Sequence, residues 1–213
     1  HNADAAQMQR AIDAALAARS EWARTPVEQR AAVFLKAAEL LSCRYRQRMN
    51  AVTMLSLSKT IQQSEIDAVC ELADFFRFNV AFMHQIYGLQ PESSRGVWNR
   101  MEWRPLEGFV FAVTPFNFAS IAGNLPTAPA LMGNTVVWKP ASSAVYPAWI
   151  ILQILEEAGL PPGVINFVPG PGAALGQVAL QHPELAGVHF TGSTTTFRRM
   201  WQTVSQQIEP ARY

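Results

Sequence analysis

The stretch Glu107-Gly108-Phe109-Val110-Phe111-Ala112-Val113-Thr114-Pro115-Phe116-Asn117-Phe118 decides the fold. Its apolar centre is short, follows a glycine and stops at Thr-Pro, which is typical of a strand buried on both faces. Proline lacks an amide hydrogen and biases the preceding residue toward an extended backbone, so the chain turns here. Asn117 therefore lies just beyond the carboxyl end of the strand, at the edge where open α/β sheets bind ligands.

Strand and helix signals alternate regularly after this strand. Further strands are predicted at residues 135–138, 164–168 and 188–190, each followed by a helical segment. Pro126 and Pro129 should bend or break the first of these helices, Ser142 should cap the second, and the last should run to about Glu209. Four strand–helix units predict a parallel sheet with right-handed crossovers, an α/β Rossmann-like domain over residues 108–213.

Residues 1–96 are predicted to form a helical region. Thr25-Pro26-Val27-Glu28 has the pattern of a capping box, so a helix should start near Pro26, pointing Phe34 and Leu35 inward and leaving Arg30 in water. A long amphipathic helix is predicted to end near Tyr87. Its inward stripe comprises Ile66, Val69, Cys70, Ala73, Phe76, Val80 and Met83, and its acidic residues Glu65, Asp67, Glu71 and Asp74 are expected on a solvated face.

Residues 97–107 follow a linker at residues 90–96 and have a different period. Val97, Met101 and Trp103 alternate with polar residues, while Trp98 points to the other side, which is a strand signal. We expect an edge or oligomerisation strand here. It would be covered by another subunit or packed on the chain's own helices.

Composition excludes several classes of partner. Seventeen basic and 16 acidic residues leave a charge of +1 without a basic block, so neither nucleic acid nor an anionic membrane is expected to bind. We see no signal peptide at the start of the sequence and no apolar run of about 18 to 20 residues, so we expect an intracellular protein. Cys43 and Cys70 offer neither a disulfide framework nor metal-ligand spacing, and we expect both to be packed, reduced thiols.

Polar and glycine residues follow each predicted strand. Because the carboxyl ends of parallel strands share one edge, Asn117, Lys139, Gly172 and Ser193 should line a common crevice. A helix that starts at Ser193 and a cation at Lys139 both suit a phosphate. The spacing of Gly170, Gly172 and Gly176 is one residue too long for the dinucleotide fingerprint, so the glycine turns alone leave a nucleotide site and plain loop punctuation both open.

Four motifs, in order, are similar to those of the NAD(P)-dependent aldehyde dehydrogenase superfamily. They are Thr114-Pro115-Phe116-Asn117-Phe118, residues 133–140, residues 158–166 and Phe190-Thr191-Gly192-Ser193. Phe118 and residues 64–68 and 71–79 resemble one branch, 1-pyrroline-5-carboxylate (glutamate-γ-semialdehyde) dehydrogenase. The resemblance spans essentially the whole chain and implies the aldehyde dehydrogenase fold, a small aldehyde as substrate, and a homodimer or higher homo-oligomer.

The resemblance also implies roles for particular residues. Such enzymes oxidise an aldehyde as a thiohemiacetal on a cysteine, with Asn117 donating its amide to the oxyanion and Glu71 and Phe118 near the substrate. From the residues alone, Asn117 as a cap, Lys139 as a surface lysine and Glu71 as an exposed helix acid are the alternatives. NAD would contact Lys139 at the adenosine ribose, Gly172 at the adenine, Ser193 at the pyrophosphate, and Val113, Thr114, Pro115 and Phe116 on the nicotinamide side.

Two departures from the family pattern shape the hypothesis. Ser142 stands where many members carry a glutamate that holds the ribose and repels a 2′-phosphate, so NAD is expected and NADP is not excluded. No cysteine follows Cys70, and the family's nucleophile, general base and carboxylate-binding loop all come later.

We therefore expect the N-terminal portion of a longer enzyme, inactive alone, with its Rossmann-like domain truncated and its catalytic domain absent. The complete enzyme would oxidise glutamate-γ-semialdehyde to glutamate in proline breakdown. It would act in the cytoplasm, or in the mitochondrial matrix of a eukaryote. The alternatives are another aldehyde or semialdehyde dehydrogenase, and a non-catalytic nucleotide-binding or assembly module.

Overall fold

The computed structural model describes residues 2–207, and it places a helical region before a four-stranded sheet. The predicted helix end near Glu209 lies outside this range. Within it, no helix has both the length and the apolar character needed to cross a membrane. The helical region comprises α1 (Ala5–Arg24), α2 (Val27–Ser42), α3 (Arg46–Leu57), α4 (Ile61–Ser64), a π-helical segment (Glu65–Glu71) and α5 (Leu72–Gly88). The remainder comprises β1 (Phe109–Val113), α6 (Ala119–Leu131), β2 (Thr135–Lys139), α7 (Val145–Glu157), β3 (Ile165–Phe167), α8 (Gly172–Leu180), β4 (Leu185–Phe190) and α9 (Thr194–Ser205).

The four strands form one parallel sheet in the order β3-β2-β1-β4. The chain steps from β1 to β2 to β3, and then returns to the other side of β1 to form β4. This reversal creates a topological switch point between β1 and β4, where ligands bind in sheets of this kind. The predicted α/β class and the parallel sheet are confirmed.

Alternation along the strands sorts the core into two layers. Val110 and Ala112 of β1 pack in the larger cluster, which contains side chains of α2, α5, α6 and α7. Phe109 and Phe111 pack in the second cluster with side chains of α1 and α8. Because neighbouring strands alternate in the same way, Val113 and Lys139 fall on the α8 side of the sheet.

The π-helical segment changes the predicted inward stripe before α5. Ile66 is 59% exposed and Cys70 is also exposed, whereas Asp67, Ala68 and Val69 are buried. A π-helix bonds over five residues instead of four, so it turns its side chains out of a 3.6-residue pattern. The predictions that Ile66 and Cys70 point inward and that Asp67 is solvated are therefore wrong. Cys43, at the end of α2, is exposed as well, so neither thiol is packed.

Arg30 and Leu35 in α2 also differ from their predicted orientations. Leu35 is 45% exposed, and Arg30 is buried, with Nε donating to the carbonyl of Leu131 at 2.9 Å. A second guanidinium nitrogen of Arg30 donates to the Tyr87 hydroxyl at 3.1 Å. The guanidinium thus satisfies a carbonyl at the end of α6, which has no partner inside its own helix.

Two predicted helix caps are wrong. The Thr25 hydroxyl donates to the Glu21 carbonyl and closes α1, and α2 begins after Pro26 without a side-chain cap. Ser142 lies in a short 3₁₀ turn, Ser142–Ala144, and α7 starts only at Val145, also without a side-chain cap.

Helix α6 continues through both of its prolines, so the predicted break does not occur. Pro129 cannot donate to the carbonyl of Leu125, four residues earlier. Instead, Nδ1 of His189 lies 2.8 Å from that oxygen. A carbonyl only accepts, so His189 carries its hydrogen on Nδ1 here. This contact ties α6 to β4, on the far side of β1.

Residues 97–107 form no strand within the described part of the chain. Trp98 is 77% exposed, and Val97, Met101 and Trp103 are exposed as well. The side chain of Gln90 bonds the backbone of Met101 through its oxygen at 2.9 Å and its nitrogen at 3.2 Å. The predicted strand is therefore absent from this sheet, and pairing with another subunit stays a prediction.

Candidate functional site

The carboxyl edge of the sheet gathers the predicted site residues. Val113, the last residue of β1, pairs with Lys139 of β2 on one side and with Phe190 of β4 on the other. The loops after these strands carry Asn117 and Ser193. The edge therefore divides into a cleft beside α8 and α9 and a loop that leads into α6.

The cleft has a volume of about 540 Å³ and lies between the strand ends, α8 and α9. Three predicted residues line it, namely Val113, Lys139 and Gly172. Helix α9 adds Thr196 and Arg199. Two cations and no acidic side chain line the cleft among the described residues, which favours an anionic ligand.

Lys139 is the most unusual residue of this cleft. It is only 9% exposed, and in the described residues its ammonium makes no hydrogen bond or ion pair. Burial lowers the pKa of Lys139 below the ordinary lysine value. A Cβ placed on Gly172 would lie 3.6 Å from its Nζ, so a larger side chain at Gly172 would reduce access to the cation. Lys139 lines the cleft, so a ligand bound there could supply the hydrogen-bond partner that its ammonium lacks among the described residues.

Ser193 and Ser142 lie outside the lining of the cleft. The Ser193 Oγ accepts from the backbone N–H of Thr196 at 3.2 Å and so caps α9. Ser193 thus borders the cleft through Thr196, and its hydroxyl is already engaged at 2.9 Å from the Thr196 hydroxyl. Ser142 is exposed in the turn after β2. Their predicted contacts with a nucleotide stay predictions.

The loop after β1 is anchored at its start. The buried hydroxyl of Thr114 accepts from Trp138 Nε1 at 3.0 Å, and the Thr114 backbone N–H donates to the Lys139 carbonyl at 3.2 Å. Pro115 is buried, whereas Phe116 and Asn117 are exposed. Within residues 2–207 the Asn117 side chain makes no hydrogen bond, so its amide is available to a ligand.

The end of this loop is held by Asp67, which is only 2% exposed. Its carboxylate accepts from the backbone N–H groups of Ala119 and Ser120 at 3.2 and 3.1 Å, and from the Ser120 hydroxyl at 2.7 Å. Lys59 donates to Asp67 at 2.6 Å and lies 4.2 Å from the centre of the Phe118 ring. The start of α6 is thus bound to the helical region.

Glu71 also reaches this loop. Its Oε2 lies 2.8 Å from the Ser120 hydroxyl, whose single hydrogen faces both Asp67 and Glu71. The structure therefore brings Glu71 and Phe118, both predicted near a substrate, to the loop that carries Asn117. Glu71 is partly buried and bonded here, which disfavours the reading as a plain surface acid.

Sequence reasoning missed Lys59, Asp67 and two residues of α9. Asp67 and Glu71 lie four residues apart, which is a helical spacing, but their contact with Ser120 joins segments about 50 residues apart. Thr196 and Arg199 lie three residues apart on one face of α9, directly after Thr191-Gly192-Ser193. This spacing is visible in the sequence. It indicates cleft residues only once the structure places α9 over the strand ends.

Cys70, the thiol nearer to the loop after β1 in sequence, is not activated as a nucleophile. Partial desolvation of the sulfur, followed by the neighbouring Glu65 carboxylate, raises the pKa of the Cys70 thiol above its ordinary value, although the residue as a whole is exposed. A raised pKa reduces the thiolate fraction at neutral pH. The described residues can thus bind an anionic ligand in the cleft and offer an amide donor beside it, while Cys70 is not activated for attack.

Comparison with known proteins agrees with these features. A sequence model of the aldehyde dehydrogenase family matches residues 1–212. The chain is 50% identical over 214 residues to a probable delta-1-pyrroline-5-carboxylate dehydrogenase of Schizosaccharomyces pombe, covering 100% of this chain and 39% of that protein. It is 47% identical over 207 residues to the human mitochondrial delta-1-pyrroline-5-carboxylate dehydrogenase, covering 97% of this chain and 37% of the relative.

A solved structure shows the same architecture. The crystal structure of the Delta-pyrroline-5-carboxylate dehydrogenase from Mycobacterium tuberculosis bound with NAD superposes with a TM-score of 0.98 at 57% identity. The match covers 100% of this chain and 40% of that one. The chain thus spans about two fifths of the length of the proteins it matches.

Proposed function

Because the chain belongs to the aldehyde dehydrogenase family, we propose that it forms the N-terminal, NAD-binding part of an enzyme that oxidises glutamate-γ-semialdehyde (1-pyrroline-5-carboxylate) to glutamate. Relatives carrying that activity in their names are about 50% identical along the whole chain. The observation that carries the proposal is the largely buried Lys139, which has no partner and faces no acidic side chain in its cleft among residues 2–207.

The cleft residues fit NAD. Lys139 would bond the adenosine ribose, Gly172 would contact the adenine, and Arg199 would attract the phosphates. Val113, Thr114, Pro115 and Phe116 would face the nicotinamide side, and NAD would accept the hydride. Ser142 provides no carboxylate against a 2′-phosphate, so NADP use is compatible with the site. The NAD-bound relative from Mycobacterium tuberculosis supports this assignment.

Asn117 would serve the aldehyde side of the site. Its free amide can donate to the oxygen of the aldehyde as negative charge develops there, with Glu71 and Phe118 beside the substrate. The attacking thiolate would come from the part of the enzyme that corresponds to the remaining length of the relatives. In the proposed organisation, residues 1–96 form the helical region, residues 97–107 contact another subunit, and residues 108–213 contribute to the NAD-binding domain.

Turnover of the complete enzyme tests this function. The protein containing this chain and the region that follows it should reduce NAD with glutamate-γ-semialdehyde at a higher kcat/KM than with other aldehydes and semialdehydes. A preference for a different aldehyde would favour another branch of the family. NAD binding without turnover on any aldehyde would favour a non-catalytic nucleotide-binding module.

Replacing Lys139 with methionine should weaken NAD binding by about 1 to 2 kcal/mol, the range for one charge-assisted hydrogen bond. Methionine keeps most of the volume and removes the charge. Calorimetric titration of the complete enzyme with NAD measures the change. Lys36→Met is the matched control, because Lys36 is half exposed and its ion pair in the described residues is a surface contact with Glu39. An unchanged dissociation constant in Lys139→Met would remove Lys139 from the site.

The lowered pKa of Lys139 gives a pH dependence with a definite sign. As pH rises through this lowered pKa, the ammonium loses its proton and NAD affinity should fall. The fall should begin at a lower pH than it would if Lys139 had the ordinary lysine pKa. Without NAD, the unfolded state binds the proton more tightly, so stability should rise over the same pH window. The part of each slope that Lys139 contributes should be absent in Lys139→Met, measured against the wild type by NAD titration and thermal melting across pH.

A further inference from the structure

We propose that Lys59 and Asp67 are positioning residues that hold Asn117 in place for the reaction, an inference that rests on the proposed function. In the proposed arrangement, neither side chain would touch the reacting atoms. They act through Phe118 and the first turn of α6. Asn117 is followed by Phe118 and then by Ala119, the first residue bound by Asp67.

Asp67 accepts several hydrogen bonds from the start of α6. One buried carboxylate accepts two backbone N–H groups and one hydroxyl at the N-terminus of α6. A carboxylate at this position also interacts favourably with the helix dipole, and charge-assisted hydrogen bonds are stronger than neutral ones. The carboxylate comes from the π-helical segment, so a separate part of the chain determines where α6 begins.

Lys59 makes the burial of Asp67 possible. Its side chain is 15% exposed and that of Asp67 is 3% exposed, so the pair is largely withdrawn from water. A buried carboxylate without a cation would be strongly disfavoured. The same ammonium lies over the Phe118 ring, a cation–π contact that fixes the residue next to Asn117.

In the part of the chain that the structure describes, the Asn117 side chain makes no hydrogen bond that would orient it. Its position follows from two anchors, Thr114 bonded to Trp138 before it and Asp67 bonded to α6 after it. An oxyanion donor stabilises a transition state only when it is already in place, and a displacement of about 1 Å can cost about 100-fold in rate. Loosening the second anchor should therefore lower the rate without touching NAD.

The test compares Asp67→Asn and Lys59→Met with the surface controls Asp74→Asn and Lys36→Met in the complete enzyme. The amide of Asp67→Asn keeps the shape but removes the charge and replaces one acceptor oxygen with a donor. We expect kcat to fall about 10- to 100-fold in Asp67→Asn, and less in Lys59→Met, with the NAD dissociation constant unchanged. The controls, which pair only at the surface or lie beside Arg77, should match the wild type.

Amide hydrogen exchange provides a readout that does not depend on activity. The peptide covering residues 114–124 should exchange faster in Asp67→Asn than in Asp74→Asn, while peptides of β2 and α8 stay unchanged. Wild-type kcat and wild-type exchange in Asp67→Asn would overturn the inference and leave the proposed function intact. If the wild-type enzyme were inactive on every aldehyde, the proposed function would be wrong. Amide hydrogen exchange would still show whether Lys59 and Asp67 hold the loop before α6. If Asp67→Asn fails to fold, Lys59→Met carries the same comparison.

Discussion

Replacing Asn117 with alanine in the complete enzyme is expected to lower kcat for aldehyde oxidation about 100- to 1000-fold, the range for removing one oxyanion donor. The expectation follows from an exposed amide without a partner among the described residues, located just past the carboxyl end of β1. A donor that only stabilises developing charge contributes to the transition state and little to NAD binding. Single-turnover measurement of NADH formation would isolate the step.

Two comparisons make this result specific. Asn117→Gln keeps the amide but moves it outward by one carbon, so it should recover only part of the lost rate if position matters. NAD affinity should equal that of the wild type in both variants, because Lys139 and Gly172 lie in the separate cleft. Wild-type kcat in Asn117→Ala would show that Asn117 only shapes the loop before α6, and the proposed oxyanion role would then be wrong.

The sheet was predictable because its signals are local. Strand β1, at Phe109–Val113, coincides with the apolar centre of the stretch at residues 107–118, and β2 was predicted at residues 135–138 and is found at Thr135–Lys139. Apolar runs bounded by glycine and proline determine such strands without reference to distant residues. Once the strands are known to be parallel, their carboxyl ends share an edge. The neighbourhood of Val113 and Lys139 then follows.

The failures concern contacts between distant segments. The prediction that Asp67 lies on a solvated face assumed a regular α-helix. The π-helical segment instead turns Asp67 toward Ser120, and no local sequence pattern predicts a contact between residues so far apart. Arg30 is buried for a similar reason, because its partner is the last carbonyl of α6. The segment at residues 97–107 has strand periodicity but finds no partner strand in the described residues. A strand is stabilised by pairing with a neighbouring strand, and periodicity alone does not show whether such a partner exists.

Replacing Gly108 with alanine is expected to destabilise the protein by roughly 2 to 6 kcal/mol, the sum of backbone strain and steric overlap. Gly108 has φ +114°, which side chains other than glycine rarely adopt. A Cβ there would lie 2.1 Å from the Glu184 carbonyl oxygen. That oxygen already accepts the Phe109 backbone N–H at 3.0 Å, so the clash would act on the first bond between β1 and β4.

Two other glycines separate strain from overlap. Gly159 has φ +100°, and a Cβ added there would meet no atom within 4 Å, so alanine should cost only about 1 to 2 kcal/mol of backbone strain. Gly88, at the end of α5, is also open but lacks a positive φ, so Gly88→Ala should be neutral or slightly stabilising. Thermal melting of the three variants in the same protein should give the order Gly88→Ala, Gly159→Ala, Gly108→Ala from most to least stable. If Gly108→Ala lowered the melting temperature no more than Gly159→Ala, the chain at Gly108 would not approach Glu184 as closely as described. The geometry of the switch point between β1 and β4, from which the positions of Asn117 and Ser193 follow, would then be wrong.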